Sequence, residues 1–237
     1  MILTKAAHHD RASEPGPLLR RVTPEDIAAD LDASLAELGS DHVEILMLHR
    51  DDPSVPVGVI LEELNAHRRA GRILSFGASN WSTTRLDEAA AYAREHGLEP
   101  FTSSSVQLSL AAWREAPWPE CEDGRGSEAQ AWYRRTGMPL FAWSAQAGGF
   151  FTGAAERKLA QVFDTEQNRE RLRRAAELGA NIGATATQVA LAWVLHQPFS
   201  IYAVVGPRTV AELRACVEAV DLELSDEDVR WLDEGVR

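Results

Sequence analysis

Two side chains suited to proton or carbonyl chemistry stand at the ends of short apolar segments. Lys5 follows the segment 2–4, and His49 follows the longer segment 43–48. An ammonium lowers the pKa of a neighbouring acid such as a tyrosine, and an imidazole can orient or protonate a carbonyl oxygen. A solvated lysine and a histidine bonded to local backbone are the ordinary alternative. Because the two residues occupy matching positions, we favour a chemical role.

Amide and hydroxyl groups follow other apolar segments. Ser79 and Asn80 end the segment that begins at Ile73, and Gln107 ends the segment 100–107. Such groups suit an uncharged amide ligand, although as helix caps they would be equally ordinary. Trp143 follows another apolar segment and is either a stacking platform for a planar ligand or a core aromatic.

A candidate anion site lies near the C-terminus, where an apolar segment leads through Gly206 into a predicted helix. The helix N-terminus offers backbone N–H groups and a positive dipole end, and Arg208 adds a guanidinium suited to phosphate. A plain cap, in which Thr209 pairs with Glu212, is the alternative. The segment 144–153 is the most glycine-dense in the chain and allows its backbone to approach a ligand closely.

Metal ligands and disulfides are not indicated. The groups 8–10 and 49–52 contain His and Asp, but their spacings fit no zinc pattern. Cys121 and Cys216 belong to no CxxC pattern, so two ordinary thiols are expected.

Strand and helix signals alternate along the chain without a linker. We predict strands at 2–4, 43–48, 73–77, 100–107, 138–143 and 201–205. Between and after them, we predict helices that start at Thr23, close at Gly71 and Gly97, cover 127–135 and 166–178, and start at Thr185, Thr209 and Ser225. Residues 108–125 read as a long loop. The pattern predicts one α/β domain over 1–237, a TIM-type (β/α)8 barrel that is incomplete, with about six parallel strands.

Composition limits the partners of such a domain. The 237-residue chain carries a net charge of −12, which argues against a nucleic-acid or anionic-membrane surface. It has no long uncharged apolar run, and its first residues are too short for a signal peptide. We therefore predict a soluble, cytoplasmic protein that has no nucleic-acid or membrane partner.

Four motifs in order resemble the aldo/keto reductase superfamily over essentially the whole chain. They are LHRDD at 48–52, GRILSFGASN at 71–80, GGFFTG at 148–153 and VGPRT at 205–209. The resemblance implies a barrel that binds NADP(H) across its C-terminal face and passes a hydride to an aldehyde or ketone, the small-molecule carbonyl substrate.

The resemblance also implies residue roles. Lys5 and His49 match the catalytic lysine and histidine. The cofactor contacts it implies are Ser79, Asn80 and Gln107 at the nicotinamide carboxamide, Trp143 on the ring, Ser144, Gln146 and Gly148 near the pyrophosphate, and Gly206, Arg208, Thr209 and Glu212 near the adenosine 2′-phosphate.

Several features depart from the family pattern. Glu212 stands where Arg or Gln is usual, Cys216 where Asn is usual, and Gln146 interrupts a usual Pro-Leu. The family also places two βα units before the lysine strand, which supply a proton-donating tyrosine and an aspartate. Tyr92, Tyr133 and Tyr202 do not match that tyrosine. We therefore predict an N-terminally shortened reductase whose open strand edges permit self-association.

Three functions remain in competition. The first is an NADP(H)-dependent carbonyl reductase with an incomplete catalytic set. The second is a non-catalytic NADP(H)-binding or scaffold protein derived from such a reductase. The third uses Lys5 as a Schiff-base nucleophile, as in aldolase barrels.

Overall fold

The computed structural model of the chain describes residues 1–9, 19–153 and 158–236. These residues form two compact units, Met1–Ser105 and Val106–Arg237, which are described in turn. Asp10, part of the His-His-Asp group considered as metal ligands, lies outside the described residues.

The first unit alternates parallel strands with helices. Its elements are β1 (Leu3–Ala6), α1 (Pro24–Leu38), β2 (Val43–Leu48), α2 (Val57–Arg69), β3 (Ile73–Ser79), α3 (Thr83–His96) and β4 (Ser103–Ser105). Each strand pairs in parallel with the next, with Lys5 opposite Met47, Leu48 opposite Ala78 and Ser79 opposite Ser105. This register brings the ends of β1 and β2, and with them Lys5 and His49, to the same edge of the sheet.

Local signals set the limits of the first helix as predicted. The Thr23 hydroxyl accepts a hydrogen bond from the Asp26 N–H, Pro24 occupies the first turn, and Gly39 ends the helix with a φ of 62°. The apolar stripe predicted for this helix is buried at Ile27, Leu31 and Leu35. The sequence therefore encodes both the extent of α1 and the face it packs against the sheet.

Gly77 permits the close packing of the strands around β3. A Cβ placed on it would lie 2.9 Å from the Ser103 carbonyl oxygen and 2.9 Å from the end of the Met47 side chain. Any larger residue here would push β3 away from its neighbours, so the glycine of the FGASN motif has a packing function.

The second unit contains two parallel strands and six α-helices within its described residues. Its elements are α4 (Ser127–Thr136), β5 (Leu140–Ala142), a 3₁₀ helix (Ala147–Thr152), α5 (Lys158–Gln161), α6 (Glu166–Ile182), α7 (Ala186–Leu195), β6 (Ile201–Ala203), α8 (Val210–Glu218), a second 3₁₀ helix (Ala219–Asp221) and α9 (Asp226–Glu234). β5 pairs with β6. Residues 189–194 of α7 are all buried, which makes α7 the core helix of this unit.

The predicted α/β class with about six parallel strands is confirmed, although several strands are shorter than predicted. The segment 100–107 contributes only three residues to β4. The backbone of Gln107 instead accepts from the Gly124 N–H and donates to the Glu122 carbonyl, so it pairs with the following loop. The organisation of residues 1–237 as a single domain stays a prediction. The loop predicted at 108–125 is confirmed, whereas α5 and both 3₁₀ helices were not predicted.

Within the described parts of the chain, no single helix is long and apolar enough to cross a membrane. Helices α6 and α7 meet that criterion only when counted together across a bend of 98°. No group of three or more His, Cys, Asp or Glu side chains in the same parts is arranged to hold a metal ion.

Candidate functional site

A cluster of basic side chains surrounds the ends of β1 and β2. The His49 N–H donates to the Ala6 carbonyl oxygen over 2.7 Å, which continues the pairing of the two strands. The His8 ring lies edge-on to the His49 ring with centroids 4.5 Å apart, and its Nδ1 is 2.9 Å from the His9 carbonyl oxygen. The structure thus brings together the two predicted catalytic residues and adds His8, which the sequence analysis treated only as a possible metal ligand.

Burial and mutual repulsion determine the charge of this cluster. Burial, followed by the charges of Lys5 and then His8, lowers the pKa of His49 to about 3. The pKa of Lys5 is lowered as well, first by burial and then by Arg50. Among the described residues no carboxylate forms an ion pair with the Lys5 ammonium. At neutral pH the His49 imidazole is therefore uncharged, and it can donate a hydrogen bond but holds no extra proton to give away.

The three tyrosines lie in two helices and in the last strand. Tyr92 lies in α3, where its hydroxyl donates to Glu62 over 2.7 Å, and that bond raises its pKa. Tyr133 is buried in α4, and Tyr202 is exposed on β6, both in the second unit.

Ser79 and Asn80 lie at the end of β3, next to the β2 strand end. Asn80 has a φ of 58°, a left-handed conformation that asparagine tolerates better than most residues. Its side-chain nitrogen donates to the Ser79 hydroxyl over 3.1 Å and lies 3.5 Å from the His49 carbonyl oxygen. Both residues are buried, so this predicted pair of a hydroxyl and an amide adjoins the basic cluster within the first unit.

The side chains of Trp81 and Arg85 contact the loop after His49 and stabilise it. The Trp81 indole N–H donates to the Arg50 carbonyl oxygen over 3.2 Å. The Arg85 guanidinium lies 5.3 Å from the centre of the Trp81 ring and pairs with Asp51 at 3.2 Å. Sequence analysis missed both supports, because neither residue belongs to a spacing pattern that signals such a contact.

In the second unit, Gln107 is fully buried and its two amide atoms differ in bonding. Its nitrogen donates to the Ser109 hydroxyl over 2.8 Å. Its oxygen has no hydrogen-bond partner among the residues the structure describes. A buried acceptor without a donor is costly and rare in folded proteins, so this oxygen is a candidate ligand contact.

Trp143 lies in an aromatic group in the same unit. Its ring is tilted against Trp113, at 5.7 Å between centroids, and against Trp118, at 6.0 Å. Both partners come from the long loop 108–125. The ring is only partly buried, so it remains available for stacking as well as packing.

A cavity of about 1000 Å³ lies within the second unit, and we call it the glycine-loop cavity. Six of the predicted cofactor residues line it: Ser144, Gln146, Gly148, Gly206, Arg208 and Glu212. Thr209 does not line it and instead caps α8. The cavity is also lined by residues that were not predicted as site residues, among them Leu159, Thr185, Thr187 and Ala215. The two threonines, at the start of α7, could have been found from the sequence, because hydroxyl groups at a helix N-terminus suit an anion.

Glycines shape one wall of the glycine-loop cavity. Gly148 and Gly149 have φ angles of 62° and 94°, which interrupt the 3₁₀ helix. A Cβ on Gly148 would come within 3.0 Å of the Leu159 side chain. Packing of this turn against Leu159 therefore requires glycine at 148, and the approach of its backbone to a ligand stays a prediction.

Glu212 occupies part of the predicted phosphate site. The Arg208 N–H donates to the Glu212 carboxylate over 2.6 Å, and the Glu212 N–H donates to the Thr209 hydroxyl over 3.1 Å. One of the two hydrogen bonds of the expected Thr209–Glu212 cap is thus present, the one from the Glu212 N–H to the Thr209 hydroxyl. The Glu212 carboxylate accepts from the N–H of Arg208, whereas the expected cap has the N–H of Thr209 as the donor. On the same wall, the Gln146 side-chain nitrogen lies 3.5 Å from the Cys216 sulfur.

Comparison with known proteins connects these features to one family. A model of the aldo/keto reductase family matches residues 1–237. The chain is 29% identical to the uncharacterized oxidoreductase YrpG of Bacillus subtilis over 222 residues, and 27% identical to norsolorinic acid reductase stcV of Emericella nidulans over 221 residues. The alignments cover 91% and 90% of this chain but 65% and 53% of those proteins, so the chain spans between half and two thirds of their length.

The fold is similar to that of a solved structure as well. A thermostable aldo-keto reductase crystallised with the inhibitor epalrestat superposes with a TM-score of 0.70 at 23% sequence identity. The match covers 90% of this chain and 67% of that one.

Proposed function

Because the chain belongs to the aldo/keto reductase family, we propose that it binds NADP(H) and serves the reduction of aldehydes or ketones. The observation that carries the proposal is the glycine-loop cavity, which is lined by six of the residues that the family resemblance assigns to the cofactor. Similarity to two proteins named as an oxidoreductase and a reductase supports the reaction class.

The residues present fit a nicotinamide dinucleotide. The buried Gln107 oxygen lacks a donor among the described residues, and a carboxamide N–H would supply one. The left-handed turn at Gly148 and Gly149 offers backbone to a pyrophosphate, and Arg208 offers a cation to a 2′-phosphate. When bound, the cofactor would supply the hydride.

The chain's own side chains would act on the carbonyl oxygen. The His49 imidazole, neutral at pH 7, would donate a hydrogen bond to that oxygen and orient it. Lys5 would add positive charge beside the same oxygen. In this proposal neither residue replaces the proton-donating tyrosine of the family, so solvent water would supply the proton that converts the alkoxide to the alcohol.

Equilibrium titration of the purified chain with NADPH, with NADH as the control, tests the proposal. Quenching of the fluorescence of its seven tryptophans provides the signal. We expect saturable quenching that is stronger with NADPH. A folded chain that binds neither nucleotide would refute the cofactor assignment.

Glu212 is expected to weaken NADPH binding, because its carboxylate would face the 2′-phosphate and already holds the Arg208 N–H. Glu212→Gln keeps the size and removes the charge. We predict that it lowers the Kd for NADPH about tenfold and leaves the Kd for NADH nearly unchanged, since repulsion between like charges is relieved only where the phosphate is present.

The matched control for this charge change is Glu218→Gln, at the other end of α8, where the carboxylate accepts from Gln188. It should leave the ratio of the two dissociation constants as it is. A Glu212→Gln chain that binds both nucleotides with the original ratio would show that Glu212 does not discriminate.

A Schiff-base activity at Lys5 is the second candidate, and the basic cluster around Lys5 supports it. A lysine whose pKa is lowered has a larger neutral fraction and attacks a carbonyl carbon more readily. The nitrogen would form a carbinolamine, which loses water to give an imine. The sequence has two lysines, Lys5 and Lys158, so the site is easy to assign.

Borohydride reduction in the presence of butanal, followed by peptide mass mapping, tests this activity. We expect the butyl adduct to form faster on Lys5 than on Lys158 at pH 7, since a lowered pKa leaves a larger neutral fraction of the Lys5 amine. Equal labelling of the two lysines would eliminate this candidate.

The non-catalytic alternative differs from the reductase in one measurement. A single-turnover mixture of chain, NADPH and an aromatic aldehyde is followed by loss of nicotinamide absorbance. Binding without hydride transfer would identify a nucleotide-binding protein that does not turn over, whereas transfer would support the reductase.

A further inference from the structure

A continuous set of hydrogen bonds joins the last helix to Gln107, all within the second unit. It begins at Asp233 in α9. One oxygen of its carboxylate accepts from Arg171 over 2.8 Å and 3.0 Å and forms a short ion pair with Arg125. The Arg171 and Arg125 side chains are only 6% and 12% exposed, so this one carboxylate pairs with two largely buried cations.

Hydrogen bonds from the two arginines stabilise the backbone that follows Gln107. Arg125 donates to the carbonyl oxygens of Ser109 and Leu110 over 2.7 Å and 2.9 Å. Arg171 donates to the Asn168 side chain over 2.8 Å, and Asn168 in turn bonds both the N–H and the carbonyl of Ala112. Residues 109–112 have no regular secondary structure, so these side chains hold them in place.

Ser109 connects this stabilised backbone to the Gln107 amide through its side-chain hydroxyl. Its hydroxyl donates to the Ala111 carbonyl oxygen over 2.7 Å, so its own oxygen is left to accept. The donor it accepts is the Gln107 nitrogen, at 2.8 Å. This bond fixes which way the amide points: the nitrogen faces Ser109, and the oxygen is presented as a buried acceptor.

We propose that Asp233 is a positioning residue for the cofactor, acting through Arg125 and Ser109 to present the Gln107 oxygen to a carboxamide N–H. The inference rests on the proposed function, because it takes Gln107 to hold the nicotinamide carboxamide. Its chemical consequence is discrimination. A carboxamide donates to the Gln107 oxygen, whereas the carboxylate of the nicotinic acid analogue has no N–H and would be repelled by it.

The experiment measures dissociation constants for two probes that differ only in this group, NADP+ and nicotinic acid adenine dinucleotide phosphate. The unaltered chain should prefer NADP+ by about tenfold or more, since a site built around a hydrogen bond rejects a ligand that cannot make it. Asp233→Asn should reduce this preference several-fold. Ser109→Ala, which keeps the Arg125 bonds to the backbone, should do the same without removing a charge.

Two further variants separate positioning from general loosening. Asp228→Ala removes the cap of the same helix, where Asp228 bonds Ser225, and should leave the preference unchanged. Gln107→Met should abolish the preference, and adding Asp233→Asn to it should have no further effect on the ratio. Thermal unfolding of each variant confirms that folded protein is compared.

The outcomes are distinct. If Gln107→Met abolishes the preference but Asp233→Asn and Ser109→Ala retain it, the positioning role is wrong while the cofactor assignment stands. If Asp228→Ala reduces the preference as much as Asp233→Asn does, the effect is loosening of α9 and the inference is likewise overturned. If the unaltered chain binds neither probe, the proposed function itself fails.

Discussion

Replacing Arg85 by Leu is expected to lower the free energy of unfolding by about 3–5 kcal/mol, the usual cost of removing one partner from a buried ion pair. Arg85 is 9% exposed and makes several bonds at once. Its guanidinium pairs with Asp51 at 3.2 Å and Glu88 at 3.1 Å, and it donates to the carbonyl oxygens of Asp52 and Val55.

Asp51 explains the size of this effect. Burial raises the pKa of the Asp51 carboxyl, although the neighbouring Arg85 guanidinium acts to lower that pKa. The carboxylate therefore depends on Arg85, because little water reaches it. Without the guanidinium this carboxylate would be left buried and unpaired. Because residues 50–52 directly follow His49, the loss would also disturb the end of β2.

Denaturation by urea, followed by tryptophan fluorescence, measures the change. Arg173→Leu is the control, since Arg173 is 62% exposed and its pairs with Glu170 and Glu177 are worth at most about 1 kcal/mol. Adding Asp51→Leu to Arg85→Leu should recover much of the lost stability. If Arg85→Leu costs no more than Arg173→Leu, the pair with Asp51 is not a stabilising one.

Acidification is expected to destabilise the chain through His49 between about pH 6.5 and pH 3. The folded-state pKa of His49 is lowered to about 3, first by burial and then by Lys5, with further contributions from His8, Arg50 and His9. In the unfolded chain the imidazole takes up a proton near pH 6.5, while in the folded chain it stays neutral. Protons therefore favour unfolding in this interval. This one group lowers the free energy of unfolding by at most about 1.4 kcal/mol for each unit by which the pH is lowered.

Carboxylates titrate in the same interval, so the test compares two chains. The free energy of unfolding is measured at half-unit steps from pH 7 to pH 4 for the unaltered chain and for His49→Gln. The variant should show a shallower loss, because glutamine takes up no proton. Parallel profiles would mean that the folded state accommodates a protonated His49, and the neutral hydrogen-bond donor role proposed for it would then be wrong.

The sequence by itself determined the elements and the residues at their ends. Thr23 and Gly39 delimit α1, Ser225 starts α9, and the segment 43–48 forms β2 over the residues predicted. These features depend on caps, φ preferences and apolar periodicity, which act over a few residues and can be read locally. The same reading located the glycine-rich segment 144–153, where Gly148 and Gly149 adopt positive φ angles.

Tertiary structure decided which partner each polar group takes. The Asn168 side chain bonds both the N–H and the carbonyl oxygen of Ala112, 56 positions away in the sequence. The low pKa of His49 arises from burial and from Lys5, 44 positions away in the sequence. Asp233 meets Arg125 across 108 positions. No local pattern encodes such pairs, because desolvation and hydrogen bonding between distant segments exist only once the chain has packed.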